Sequence, residues 1–195
     1  MSVSEISRFD VPSRDELPPD LRERIAAVEE KSGFVPNVFM MLAHRPDEWR
    51  AFFSYHDALM DKETPGLSKA DRELIVVATS ALNHCLYCVV AHGAIARIRA
   101  RNPLIADQVA TDWRKADIDA RQRAILEFAT RLAVEPWSVT GQDLEALRSQ
   151  RLTDDDVWDV GAIVAFFAMS NRLVHLTGTM PNSEFYLMGR LPRDR

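Results

Sequence analysis

The chain has two cysteines, Cys85 and Cys88, with His92 four residues past the second and Glu73 twelve residues before the first. Thiols spaced C-x-x-C have few uses. They close a disulfide with each other, or they join the histidine in holding a metal ion. If the chain is helical from Cys85 on, Cys85 and Cys88 share a face at i, i+3, and Cys88 and His92 share one at i, i+4. Cysteines in the first turn of a helix sit at the positive end of its dipole, near unpaired N–H groups, which favours thiolate over thiol. His92 can then take a proton from Cys88 or steady its anion. Glu73, on the preceding helix, can orient His92 and relay protons to solvent. This is a nucleophile with a base and an orienter, the general arrangement of an activated nucleophile. A thiolate that attacks a peroxide becomes a sulfenic acid. A neighbouring thiol condenses with it, giving a disulfide that an external reductant must reopen.

Other readings of the same residues stand beside this one. Buried cysteines also serve as small hydrophobes. Taken singly, Glu73 reads as a solvated carboxylate and His92 as a satisfied core histidine. His84, Cys85, Cys88 and His92 offer a Cys₂His₂ zinc set for a scaffolding protein, but a helical His84 points about 100° away from Cys85. No metal ligand is therefore assigned. His44, His56 and His175 show no pairing and read as structural, while Arg172 in an apolar helix calls for a carboxylate partner within the chain or on another subunit. The sequence has no G-x-G-x-x-G, P-loop or G-x-S-x-G pattern, so no cofactor is expected.

The elements that must position these residues are helical. Apolar spacing follows the helix period nearly throughout, without a run of strict alternation, and predicts an all-α protein of about eight to ten helices. Ser68 with Asp71 starts a strongly apolar helix that carries Glu73 and runs to Leu82. The cysteine segment is a short break before a second helix from about Leu86 to Arg99. Asn102-Pro103, Asp119, Thr140 with Asp143, and Thr153 with Asp156 mark further starts. The last helix, Asp154 to about Leu176, contains Trp158, Ile163, Phe166, Phe167 and Leu173, and its wide apolar arc marks it as the central buried element. Arg72-x5-Ala78-Thr79 recurs as Arg123-x5-Ala129-Thr130, an internal echo at an offset of 51 with Pro136 and Val139 in place of the cysteines.

Composition narrows the function. The 195 residues are 47% hydrophobic and 27% charged, with a net charge of −5 and acidic and basic residues interleaved. That is a poor footprint for nucleic acid or an anionic membrane surface. Residues 1–20 read as an N-terminal arm and 21–195 as a single helical domain. Ile6, Phe9 and Val11 suggest that the arm packs across a subunit interface. The polar N-terminus lacks the apolar core of a signal peptide, and the apolar run from Gly161 to Met169 is too short to span a bilayer. The chain therefore reads as cytoplasmic, where a C-x-x-C is catalytic or metal-bound rather than a structural disulfide.

The pattern Glu73-x11-Cys85-x-x-Cys88-x3-His92 on consecutive helices resembles the active-site motif of the alkylhydroperoxidase AhpD-like superfamily, which also contains the carboxymuconolactone decarboxylases. Two flanking stretches resemble its peroxidase-related branch. One runs from Gly33-Phe34-Val35-Pro36-Asn37 through Leu42-Ala43-His44-Arg45-Pro46. The other runs from Asn171-Arg172-Leu173 through Pro181-Asn182-Ser183-Glu184-Phe185-Tyr186 to Gly189-Arg190. The resemblance implies that Cys88 attacks a hydroperoxide, that Cys85 is its proton donor and disulfide partner, and that His92 and Glu73 form a proton relay. It also implies an external dithiol reductant, of the dihydrolipoyl type in the family, and a homo-oligomer from dimer to hexamer. Tyr87 stands where the best-studied members often have histidine. A phenol is no base near neutral pH, which implies a weaker relay to Cys85. The family offers a rival as well, an enzyme acting on a lactone, whose chemistry needs no redox dithiol. A slow redox sensor would use the same disulfide.

Overall fold

The computed structural model describes residues 6–190, and these form nine α-helices joined by loops and single 3₁₀ turns, with no strand among the described residues. The helices are α1 (Pro19–Ser32), α2 (Asn37–Leu42), α3 (Pro46–Met60), α4 (Lys69–Leu82), α5 (Leu86–Ala100), α6 (Ile105–Asp112), α7 (Ala120–Val134), α8 (Gly141–Ser149) and α9 (Asp154–Thr177). The all-α expectation and its helix count hold.

The starts follow from side chains that accept the first free N–H groups of each helix. Ser68 with Asp71, Asp119 with Gln122, Thr140 with Asp143 and Thr153 with Asp156 all form reciprocal capping boxes. The first two are separated by 51 residues, the offset of the sequence echo, and Gln122 Nε2 donates to Asp71 Oδ1 at 2.8 Å across α4 and α7. Asn102 does not cap a helix directly. Its Oδ1 accepts from the Leu104 N–H at 3.0 Å, and α6 begins one residue later.

Two apolar clusters meet in the molecule. The larger joins α4 and α9 to α6, α7 and α8. The smaller joins α1, α2 and α3 to the start of α5 and holds both cysteines. α4 is buried without a break from Asp71 to Ser80. Within it lies Arg72, fully buried, donating to the Leu59 carbonyl and to Asp159 Oδ2, both at 2.8 Å. Asp159 also pairs with Lys62 at 2.7 Å.

α9 crosses both clusters, but not as a helix buried all round. Trp158, expected inside, is 76% exposed. The Thr153 cap fixes the register so that Val157, Val160, Ile163, Val164 and Phe167 face inward, and Trp158 then falls on the opposite side. Arg172 is exposed as well and donates to the Ala168 carbonyl one turn back, with no carboxylate partner among the described residues. By length and composition α9 could cross a membrane, yet half of its most apolar stretch is buried among the other helices.

The described part of the arm folds back on its own chain. The Arg8 N–H donates to the Thr177 carbonyl at 2.7 Å, and its guanidinium donates to the carbonyls of His175 and Leu176 at the end of α9. Ile6 and Val11 are half-buried there, and Phe9 stacks on His44.

Candidate active site

The joint between α4 and α5 decides where the cysteines stand. His84 N–H bonds to the Ala81 carbonyl and Cys85 N–H to the Ser80 carbonyl, both at 3.0 Å. This paired closure of a helix end needs a left-handed residue at its corner, usually glycine. Here the corner is His84, with φ of 52°. The turn delivers Cys85 directly to the N-cap of α5, so the short break inferred from sequence is present and sets both thiols at the first turn. His84 itself points into solvent while Cys85 is fully buried, so the four residues of the zinc reading are not brought together. No cluster of three or more His, Cys, Asp or Glu side chains among the described residues is arranged to hold a metal ion.

Cys85 and Cys88 are free thiols 3.4 Å apart. Their environments push their acidities apart. Cys85 falls to about 7, chiefly because the Cys88 side chain hydrogen-bonds to it. Burial works against that shift, while the backbone N–H groups of Cys88 and Tyr87 and the charge of His175 support it. Cys88 is pushed well above the ordinary thiol range by the same hydrogen bond, by burial and by the Cys85 charge. Ser170 and Asn171, polar residues on the buried side of α9, hydrogen-bond to Cys88 and partly oppose this. Asn171 is fixed in turn: its amide donates to Ser80 Oγ at 3.1 Å and its oxygen accepts from Asn83 at 2.9 Å. The pair thus holds its charge on Cys85 and its proton on Cys88 at rest.

Glu73 is 3% exposed rather than solvated. One of its oxygens accepts from His92 Nδ1 at 2.7 Å, and the other pairs with Arg99 Nη1 at 3.0 Å. A carboxylate can only accept, so the neutral His92 ring carries its proton on Nδ1 and leaves Nε2 as a base. The ring is held edge-on against Phe167 at 4.7 Å.

Cys88 and His92 open onto one cavity of about 470 Å³, whereas Cys85 lies behind its wall. Phe39, Phe53, Phe167 and Phe185 make that wall aromatic, and Arg24 and Asp57 supply charge beside them. Tyr87 is buried, and its hydroxyl accepts from the Val38 N–H at 3.2 Å. Burial pushes its pKa far above the ordinary phenol value. It is therefore a neutral strut tying α5 to α2.

The four residues singled out in the sequence are thus two contacting pairs, Cys85 with Cys88 and Glu73 with His92, which face a common cavity through Cys88 and His92. Arg99, Ser170, Asn171, His175 and His56 were not visible as site residues in the sequence. They arrive from other helices or from the far end of α5, and spacing alone does not reach across elements. His175, read as structural, donates from Nε2 to the Asn83 carbonyl at 2.9 Å beside the thiols.

A family model described as the carboxymuconolactone decarboxylase family matches residues 46–103, a stretch that contains Glu73, Cys85, Cys88 and His92. No protein of curated function matches the sequence. A crystal structure described as an alkylhydroperoxidase AhpD core, an uncharacterized peroxidase-related protein from Ralstonia eutropha JMP134, is 58% identical. It aligns over 96% of this chain and 98% of its own, with a TM-score of 0.94. An uncharacterized peroxidase-related protein from Silicibacter sp. TM1040 is 36% identical over 97% of this chain and 99% of its own, with a TM-score of 0.90. The debrominase Bmp8, solved as a cysteine-to-alanine variant in complex with 2,3,4-tribromopyrrole, shares the fold at a TM-score of 0.72 and 20% identity, over 91% of this chain and 93% of its own. With two relatives this similar over nearly their whole lengths, the chain belongs to the alkylhydroperoxidase AhpD-like superfamily.

Proposed function

We propose that the chain is a dithiol peroxidase that reduces organic hydroperoxides at Cys88, closes a Cys85–Cys88 disulfide, and is reopened by an external dithiol. One observation carries this reading: two free thiols in contact, the more acidic one walled off and the other facing a cavity. Passing the Cys88 proton to the Cys85 thiolate unmasks a thiolate where substrate can reach it. Cys88 then takes the terminal oxygen of the peroxide and becomes a sulfenic acid. Cys85 condenses with it and water leaves. His92, steadied by Glu73, carries protons at the cavity face. The reductant is a dithiol of the dihydrolipoyl type, and the enzyme works in the cytoplasm.

The test is the intact mass of reduced protein before and after one equivalent of hydroperoxide. The expected product is lighter by the two thiol hydrogens. C85S should stop at a sulfenic acid that dimedone traps, and C88S should do neither. Thiols that ignore peroxide in a protein that retains stoichiometric zinc would overturn the reading. Turnover of a lactone that survives C88S would move the assignment to the decarboxylase side of the superfamily.

A second reading has one observation in its favour, the size and aromatic lining of the cavity, which suit a ring better than a small peroxide. In that reading the dithiol removes halogen from an aromatic ring: a thiolate takes the halogen, the ring gains a proton, and disulfide closure expels halide. Halide release from a bromopyrrole, matched by thiol loss, distinguishes it.

The protomer is also proposed to assemble with copies of itself. The outer side of α9 exposes Trp158 and Met169 beside Gly161, Ala162 and Ala165, an apolar strip next to a hollow lined by Tyr55 and Phe128.

A further inference from the structure

The wall of the cavity opposite the motif carries a second histidine–carboxylate pair. His56, on α3, lines the same cavity as Cys88 and His92. Its Nδ1 lies 3.2 Å from Asp57 Oδ1. Asp57 is anchored on its other side by Arg24 Nη2 at 2.7 Å, and that guanidinium lies over the rings of Trp49 and Phe53. Hydrogen bonding from His56 and the charge of Arg24 hold the Asp57 carboxyl below its usual range, although burial opposes them. An ionised acceptor at Nδ1 leaves Nε2 as the working nitrogen. That Nε2 has no hydrogen-bond partner among the described residues, and neither has Nε2 of His92. The two rings stand 6.3 Å apart, centre to centre. Hydrogen bonds of about 2.9 Å from each ring to a shared peroxide group span such a gap.

We propose that His56 is the proton donor to the leaving oxygen of the substrate. The proposal rests on the peroxidase reading and adds a residue outside the four-residue motif. When the Cys88 thiolate attacks, a bond forms between sulfur and the terminal oxygen and the O–O bond breaks. The second oxygen leaves as an alkoxide on the side away from sulfur. Cys88 is oxidised to the sulfenic acid, and the peroxide is reduced. The Cys88 proton has passed to Cys85 behind the cavity wall, but a proton is needed at the departing oxygen. The His56 imidazolium supplies it, giving the alcohol and a neutral ring. The His56 side chain is 28% exposed, so water can restore its proton between turnovers. Asp57 is a positioning residue that fixes the tautomer.

General acid assistance matters in proportion to the basicity of the leaving group, and this sets the test. Single-turnover oxidation of the reduced dithiol is followed with tert-butyl hydroperoxide, whose leaving group is a strong base, and with peracetic acid, whose leaving group is a weak one. In wild type both reactions should be fast. H56Q should slow the hydroperoxide reaction by about 100-fold, the lower end of what a positioned acid contributes, while slowing the peracid reaction far less. H56N, which can keep the contact to Asp57, should show the same split and carries the comparison if H56Q folds poorly. H92Q should slow both oxidants. Equal losses with both oxidants in the His56 variants, or no loss, would overturn the role of His56 and leave the peroxidase reading intact. A wild-type dithiol inert to both oxidants would overturn both.

Discussion

Cys85 is a strong thiol acid in a fully buried place because of the donors gathered on its sulfur. Burial alone would have raised it, as it raises Cys88. The largest contribution is the hydrogen bond from Cys88, so removing that one donor has a definite sign. In C88A the midpoint of Cys85 ionisation, followed by ultraviolet thiolate absorbance, should climb from about 7 toward the unperturbed 9.0. The same pair links acidity to folding. Cys85 is depressed in the folded state, so its stabilisation is full above 9 and is lost as pH falls through about 7. Cys88 is raised, so its stabilisation is present below 9 and is lost as the solution becomes more alkaline than that. Stability by urea denaturation should therefore rise between pH 7 and 9 and fall beyond, and C85S/C88S should flatten this profile. At this scale the contacts of Cys85 with Cys88 and of Glu73 with His92 were legible because they follow from spacings within one pair of helices. Ser170, Asn171 and His56 were not, because a residue that reaches the site from α9 or α3 leaves no periodic trace beside the motif.

The elements were legible wherever a cap is a local side-chain event. The Ser68, Asp119, Thr140 and Thr153 boxes are each complete within four residues, and all four helix starts were readable in sequence. The α4–α5 corner sets local strain against position. His84 occupies a conformation that costs a side-chain residue about 1 kcal/mol relative to glycine. H84G should therefore stabilise the fold by about that amount, raising the melting temperature by roughly 2–4 °C, and peroxide-driven disulfide formation should persist because the exposed imidazole touches neither thiol. Arg72 tests the opposite case. R72M removes the buried guanidinium and leaves the Leu59 carbonyl and part of the Asp159 charge unanswered. A loss of about 3 kcal/mol in chemical denaturation is expected, with Lys62 limiting the damage. Composition pointed to Arg172 as the arginine in need of a partner, and the register of α9 turns that residue outward. Periodicity could not settle the register, because α9 is apolar around its whole circumference and only the Thr153 cap, seen together with the packing of α4, fixes which side faces in.

For the whole molecule, α9 is the shared wall. Its inner side carries Phe167, Ser170 and Asn171 against the thiols, and its outer side carries Trp158, at 76% exposed the residue that disagrees most with a buried central helix. If that strip is where copies meet, W158E should lower the mass measured by light scattering, with far-ultraviolet circular dichroism unchanged. An unchanged mass would place the contact elsewhere. The arm makes a complementary case. Arg8 lies against the last carbonyls of α9, and a Cβ at Gly178 would come within 2.9 Å of its guanidinium. G178A should therefore detach the arm as well as strain a left-handed turn, and faster proteolysis before Leu17 would report it. The all-helical architecture followed from periodicity because each helix buries a face against its sequence neighbours. The exposed side of α9 depends on what lies outside one chain, and sequence spacing does not encode that.

Both thiols are sealed, with Cys85 at 0% and Cys88 at 2% exposure. A protein whose two sulfhydryls lie one at the floor of an aromatic cavity and the other behind its wall can be stored concentrated in air without cross-linking to its neighbours. Bulky maleimide tags will count it as thiol-free while small neutral oxidants still find it. Surveys that rank redox proteins by labelled surface cysteine would pass it over, and a slender electrophile would be the reagent that reveals it.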